Sequence, residues 1–405
     1  MFENTQCVIV GAGFFGAVMA ERIANDAEER VVILERRHHV GGNSASVIDP
    51  ETRIEIHCHG SHIFHTSNES VWHYITQFTG FNNYRHKVLA THAGKVYPIP
   101  INLSTINRFY GRNFTSEEAR MFLDGEIDRA LRSGGCSGFE MAFLSKTGRP
   151  LYEAFIKGYT TKQWGEGIDK LPIAIAQRIP VRCNHDGSYF DDRWQGIPVN
   201  GYAALFDRLL QSERIDLYLG VDFFNVQRYI PKKCLIIYSG ALDRFFGYKY
   251  GRLGWRSLKF SFETVANNNV QDTAVMNYPD IDVPYTRIHE FRHLHAERSY
   301  ASRCSIICRE YPMEYGTEDE PYYPIRSKED IEKLSKYAAE PAENHIFGGR
   351  LGSYAYLNMD QVIEQALSLY ERKVKPRLLS RRKPRLHGIF IKRGMDPGSH
   401  KLVAE

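Results

Sequence analysis

Short apolar runs and longer periodic stretches divide the chain into elements. Cys7-Val8-Ile9-Val10 reads as a strand, and Ala17 to Ala24 (AVMAERIA) as a helix of good formers. Val31-Val32-Ile33-Leu34 is a second strand, closed by Glu35. Residues 100–175 read as helical: Ser116-Glu-Glu-Ala-Arg-Met-Phe-Leu offers a cap followed by good formers. KVYPIPINL (95–103) and TAVMNYP (273–279) alternate, which predicts an antiparallel sheet. In GGRLGSYAYLNMDQVIEQALSLYERK (348–373), Asn358 is an N-cap with Gln361 three residues later, a capping-box pattern before an apolar-periodic helix. No internal repeat occurs. No stretch reaches 18 consecutive apolar residues, so no membrane span is expected.

The first strand runs directly into Gly11-Ala12-Gly13-Phe14-Phe15-Gly16. Strand, GxGxxG, helix, strand and acid follow in the order of a dinucleotide site, with Glu35 24 positions after Gly11, close to the spacing that holds a ribose hydroxyl. Gly11 makes the turn. Gly13 admits a pyrophosphate to the positive helix N-terminus, and Gly16 lets helix and strand pack closely. Arg36-Arg37-His38-His39-Val40-Gly41-Gly42-Asn43 follows the acid. Acid, short spacer and Gly-Gly pair resemble the flavoprotein version of the fold, which favours FAD over NAD.

Composition adds limits. A chain of 405 residues, 43% hydrophobic and 25% charged, is ordinary for a globular protein. A net charge of +4 is small for this length and does not argue for nucleic acid. The basic run RKVKPRLLSRRKPRLHGIFIKR (372–393) reads as a solvated tail. Seven cysteines, none in a CxxC pair, with no signal peptide, point to a reducing, cytoplasmic compartment.

EIHCHGSHIFHT (55–66) crowds His57, Cys58, His59, His62 and His65 into nine positions. A zinc site needs three or four ligands at workable spacing. Here no HExxH is present and no carboxylate lies inside the cluster, so no metal is expected. Independent structural histidines are one reading; the resemblance described next supplies the other, His62 lying against a flavin.

The sequence resembles the bacterial UDP-galactopyranose mutase family. The resemblance lies in GSHIFHT (60–66), KGYTTKQWG (157–165), RIPVR (178–182), YFDDRWQGIP (189–198), YSGALDRFF (238–246), WRSLKF (255–260), PYTRIHEFRH (284–293), REYP (309–312), EPYYPI (320–325) and IFGGRLGSYAYLNMDQ (346–361), in order from about residue 5 to about residue 372. It implies interconversion of UDP-galactopyranose and UDP-galactofuranose with no net redox. N5 of a reduced flavin attacks the anomeric carbon and UDP leaves. The sequence shows no serine, cysteine or paired-carboxylate machinery that would do this instead.

Residue by residue, the resemblance implies a cofactor set of Gly11, Gly13, Phe14, Gly16, Glu35, Arg36, Gly42, Asn43, His62, Arg350 and Met359. The resemblance places the diphosphate on Arg178 and Arg287, with hydroxyls from Tyr189, Tyr356 and Tyr323, its tandem neighbour Tyr322 being the alternative to Tyr323. Phe155 and Tyr159, four apart on a helix, flank the uracil together with Asn277. Trp164 shapes the sugar site, and residues 165–180 form a mobile lid carrying Arg178. His62, Arg178, Arg287 and Arg350 are the catalytic set. Asn358 lies near the substrate, and its helix N-terminus with Arg350 favours a reduced, anionic flavin.

The implied fold is α/β: a discontinuous Rossmann-type FAD-binding domain (1–75, 200–265, 340–378), an inserted helical domain (100–175), an antiparallel substrate sheet (76–99, 180–199, 266–339) and a basic tail (379–405). A homodimer and a cellular reductant such as NAD(P)H or reduced flavin are implied by resemblance alone. His59, Ser61 and Ala241 depart from the Tyr, Pro and Pro usual in the family, and Asn358 from a common Asp. Without that proline the backbone before His62 is expected to be freer. Three alternatives remain: a flavin amine-oxidase-like enzyme, a mutase for another UDP-sugar such as UDP-N-acetylgalactosamine, and a non-catalytic UDP-sugar-binding protein.

Overall fold

The computed structural model describes residues 2, 5–132, 138–165, 171, 173 and 180–381. The N-terminal unit forms as the pattern predicts, with strand Cys7–Val10, helix Phe14–Asn25 and strand Val31–Glu35. Both strands lie inside a parallel sheet covered on both faces, which is why they read as unbroken apolar runs. The sheet order is His345–Phe347, Leu235–Tyr238, Cys7–Val10, Val31–Glu35, Ile215–Leu219. Cys7 lies opposite both Leu235 and Val31. Helix Phe14–Asn25 packs on helix Met359–Leu369, so the C-terminal segment returns to the first helix.

The second sheet has seven strands. Their order is Tyr323–Pro324, Trp255–Val265, Ser305–Glu314, Arg287–Glu290, Val275–Asn277, Val88–His92, Lys95–Ile99. Both alternating stretches lie in it. The sheet is mixed rather than antiparallel throughout, because Val275–Asn277 runs parallel to Val88–His92. Two expected boundaries move. Strand Trp255–Val265 belongs to this sheet, so the parallel region ends before it and not at 265. Segment 180–199 supplies Trp194–Gly196, which pairs with Phe64–Thr66 in a separate ribbon.

Helices Leu103–Tyr110, Ser116–Arg132, Gly138–Tyr152 and Gly158–Trp164 form the third layer. The cap of the second is Thr115, not Ser116. The Thr115 hydroxyl accepts from the Glu118 N–H (3.3 Å) while the Glu118 carboxylate accepts from the Thr115 N–H (2.8 Å). Gly148, at φ 67°, breaks the third helix, and a π turn spans Glu153–Lys157. At the other end the Asn358–Gln361 capping box forms, with the Asn358 N–H on Gln361 Oε1 at 2.9 Å. The basic run is not wholly a solvated tail: Lys375–Arg381 is helical and Leu378 is buried. Residues 382–405 lie outside the described residues.

Candidate active site

A cavity of about 240 Å³ opens at the C-terminal ends of the parallel strands, where Val10, Glu35 and Tyr238 meet. Every residue of the expected cofactor set lines it except Gly16. Gly16 stands behind the turn, where an added Cβ would come within 1.9 Å of the Gly11 carbonyl oxygen. Gly11 itself sits at φ 102°, a backbone that side chains disfavour. Gly13 and Gly42 face each other closely enough that a Cβ on Gly42 would lie 3.1 Å from the Gly13 Cα. The first turn of helix Phe14–Asn25 has no side-chain cap, so its N–H groups remain for an anion. This cradle fits a dinucleotide.

The Glu35 carboxylate is buried. It accepts from the backbone N–H of Ala12 (2.8 Å) and of Arg37 (2.9 Å), stapling the glycine turn to the following loop. Each oxygen keeps a lone pair for a ribose hydroxyl. Arg36 and Arg37 both reach Glu320, at 2.5 and 2.7 Å.

His62 Nδ1 lies 2.7 Å from the Gly60 carbonyl oxygen, so the proton is on Nδ1 and Nε2 is left as an acceptor. Burial lowers its pKa to about 4, so the ring is neutral at pH 7. Its own N–H donates to His57 Nδ1 at 3.0 Å. The freedom expected from the missing proline is absent. Ser61 sets both its N–H (3.2 Å) and its hydroxyl (2.9 Å) on His289 Nδ1, and His289 Nε2 reaches Glu310 Oε2 at 3.2 Å. Hydrogen bonds hold this loop in place of the proline ring expected from the resemblance.

The histidine cluster scatters. His57 packs edge-on against Tyr202, His59 meets the Tyr322 hydroxyl at 2.6 Å, and His65 stacks on Phe190 with Nδ1 2.6 Å from Asp192. Among the described residues no three metal-ligating side chains converge.

A second group gathers around Arg287. Its guanidinium lies 5.7 Å from the Tyr159 ring centre and 3.7 Å from Glu310 Oε2. Burial would raise the Glu310 pKa, but the Arg287 charge and the His289 hydrogen bond outweigh it and hold the carboxylate at about 2. Asn277 sits opposite Arg287 across the strand pair, and its Oδ1 is buried with no hydrogen-bond partner among the described residues. Tyr189 packs edge-on against His86 (5.0 Å) and Phe190 (5.1 Å). Tyr323 stacks on Tyr356 (5.5 Å) beside Trp164 (6.3 Å), while Tyr322 turns away to His59. That separates the tandem pair. Arg350 joins the two groups: it lines the cavity, lies 5.3 Å from the Tyr356 ring centre, and is pinned by the carbonyls of Leu357 (2.7 Å) and Tyr322 (3.2 Å).

Two expected partners diverge. Phe155 lies in the π turn and packs among Tyr97 (5.0 Å), Phe109 (5.6 Å) and His92 (5.7 Å), in the core of the helical layer, whereas Tyr159 meets Arg287. Arg178 and most of the expected lid lie outside the described residues.

Residues 154–356 match the family described as UDP-galactopyranose mutase, and residues 9–78 match an NAD(P)-binding Rossmann-like domain. A probable UDP-galactopyranose mutase of Klebsiella pneumoniae is 42% identical over 367 residues, 90% of this chain and 94% of that protein. The chain belongs to the UDP-galactopyranose mutase family. As a member it is an isomerase, which sets the amine-oxidase alternative aside. A dTDP-fucopyranose mutase of Escherichia coli is 35% identical over 374 residues, covering 91% of this chain and 98% of that one. A crystal structure of reduced UDP-galactopyranose mutase has the same fold, with TM-score 0.69 at 16% identity over 93% of this chain and 97% of that one.

The motif reading missed Glu310 and His289, although both lie in blocks shared with the mutase family. Their part depends on strand register, with Arg287 opposite Glu310, and no spacing in a single segment reports that. Only the alternation of Arg287 and His289 on one strand face hinted at it.

Proposed function

We propose that this enzyme interconverts UDP-galactopyranose and UDP-galactofuranose on a reduced FAD. The observation that carries the reading is Arg350, which borders the cofactor cavity and also lies over Tyr356 in the Arg287 group. Reduced flavin, when bound, supplies the nucleophile for opening and reclosing the sugar without net redox. The protein's part is to bind, aim and balance charge.

Gly11, Gly13 and the uncapped helix N-terminus would receive the cofactor diphosphate, and Glu35 the ribose. His62, neutral with Nε2 as acceptor, puts no positive charge on the cofactor face. Arg350 and the N-terminus of helix Met359–Leu369, both at the cavity, would supply positive charge that favours an anionic reduced flavin. Arg287 would meet the leaving diphosphate. Glu310, 3.7 Å away, offsets part of its charge. Tyr159, Tyr189, Tyr323 and Tyr356 add neutral donors, and Asn277 Oδ1 is a buried acceptor ready for a nucleobase N–H.

The likeness to a dTDP-fucopyranose mutase supports one second reading, a thymidine-diphosphate sugar as substrate. The test is turnover of UDP-galactofuranose by purified protein with and without dithionite, with dTDP-fucopyranose run in parallel. Activity only after reduction, and only on the uridine sugar, is expected. Turnover of the dTDP sugar alone would reassign the substrate. Equal activity without reduction would remove the flavin reading.

A further inference from the structure

Lys162 stands apart from every role given so far. It lies in helix Gly158–Trp164, between Tyr159 and Trp164. Its ammonium faces four backbone carbonyl oxygens: Tyr278 at 2.6 Å, Asp280 at 2.7 Å, Val283 at 2.8 Å and Tyr285 at 3.0 Å. All four belong to the turn joining strand Val275–Asn277 to strand Arg287–Glu290. An ammonium has three N–H donors, so four acceptors exceed what directed hydrogen bonds can use. A ring of inward-turned carbonyls is instead how proteins replace the hydration shell of a monovalent cation.

Across the base of the turn the Tyr278 and Tyr285 rings meet edge-on at 4.8 Å, but few backbone bonds hold its interior. Tyr278 N–H donates to Thr286 O (2.9 Å) and Val283 N–H to Asp280 O (3.2 Å). Asp280 also pairs outward with His92 and takes the Ala93 N–H (3.1 Å). At its base, Asn277 and Arg287 lie opposite one another. The helix is pressed onto the turn at Gly158, where an added Cβ would come within 2.3 Å of the Pro279 carbonyl oxygen.

We propose that Lys162 is a positioning residue whose ammonium serves as a tethered monovalent cation. It folds the 278–286 turn around itself and thereby sets Asn277 and Arg287 against Tyr159. Without the side chain, the same oxygens form a binding site for free ammonium or potassium. The consequence for substrate rests on the reading of Arg287 as the diphosphate residue; the cation site itself does not.

The test uses flavin-loaded Lys162→Gly. UDP affinity is measured by calorimetry, and thermal unfolding is followed, in lithium, potassium and ammonium chlorides at equal ionic strength. The expected result is UDP binding weakened at least ten-fold in lithium, recovered at least five-fold in ammonium or potassium, with a melting temperature raised by those ions in the variant and not in the wild type. Weakening that is the same in all three salts, or wild-type affinity in lithium, overturns the proposal. If the glycine variant does not fold in any salt, Lys162→Met decides: its methyl ends one atom short of the ammonium position and blocks the mouth of the cage without charge, so ten-fold weaker UDP binding that no salt restores is expected, and wild-type affinity overturns the proposal. Arg287→Met is the control. If it binds UDP normally, the reading of Arg287 fails, while the salt-dependent melting of Lys162→Gly still reports on the cage.

Discussion

The two walls of the site are built by opposite means. The cofactor wall is mainly backbone: glycines at 11, 13 and 42 and one stapling carboxylate, Glu35, all within one short stretch of chain. The wall around Arg287 is charge: a partly exposed Arg287 and a buried His289 on one strand, facing a buried Glu310 on the next and aligned by register. A backbone cradle fails when an atom is added. A charge wall fails when a partner is taken away. The lesson is that the same cleft carries two unlike vulnerabilities.

The sharpest break should come at Gly16. In Gly16→Leu the Cβ has no room against the Gly11 carbonyl, so neither turn nor cradle can form. The expected outcome is protein without visible flavin absorbance; a yellow, active variant would sink the cradle account. Next is Glu310→Ala, which leaves a buried His289 and a partly buried Arg287 beside no carboxylate. Urea unfolding of the flavin-loaded protein should show a loss of about 3–5 kcal/mol, with flavin retained. Flavin lost along with stability would mean that the walls are not independent.

A graded effect comes from pH. Burial lowers His57, His59 and His86 to about 3 and His62 to about 4. The unfolded chain takes up these protons near 6.5, so it binds more protons throughout that window. Stability is therefore fully present above pH 6.5 and falls as pH drops toward 4. Glu55 and Glu310, both held at about 2, add a second loss only below about 4.5. An unfolding midpoint that is flat from pH 6.5 to 5 would contradict the buried neutral histidines. The smallest change is Ser61→Ala. It removes one hydroxyl from His289 but keeps the N–H, so a cost of about 1 kcal/mol is expected in the same urea assay. A loss several times larger would make this hydroxyl the main tie of the loop.

This contrast explains what could be read in advance. The strand–glycine–helix–strand–acid order is local, so the cofactor wall was legible from spacing alone. The capping box at Asn358 was legible for the same reason. The boundary at 265 was not, because Trp255–Val265 follows the parallel region in sequence yet pairs with Ser305–Glu314. Phe155 and Tyr159 are four apart, but the π turn and the aromatic core around Phe155 give them different neighbours. Arg287 came from resemblance. Glu310 and His289 needed the register, and Lys162 needed the course of a turn more than a hundred residues away.

The parallel sheet takes its strands from residues 7–35, 215–238 and 345–347, and the cavity is closed by Arg350, Met359 and Val362. During synthesis, therefore, the glycine turn leaves the ribosome long before the wall that completes it. At about 5–20 residues per second, the nascent chain waits many seconds with its first strands lacking a neighbour on one side. Truncated chains ending before His345 should capture no flavin, and the waiting edge of Leu235–Tyr238 is where a chaperone would have most to protect.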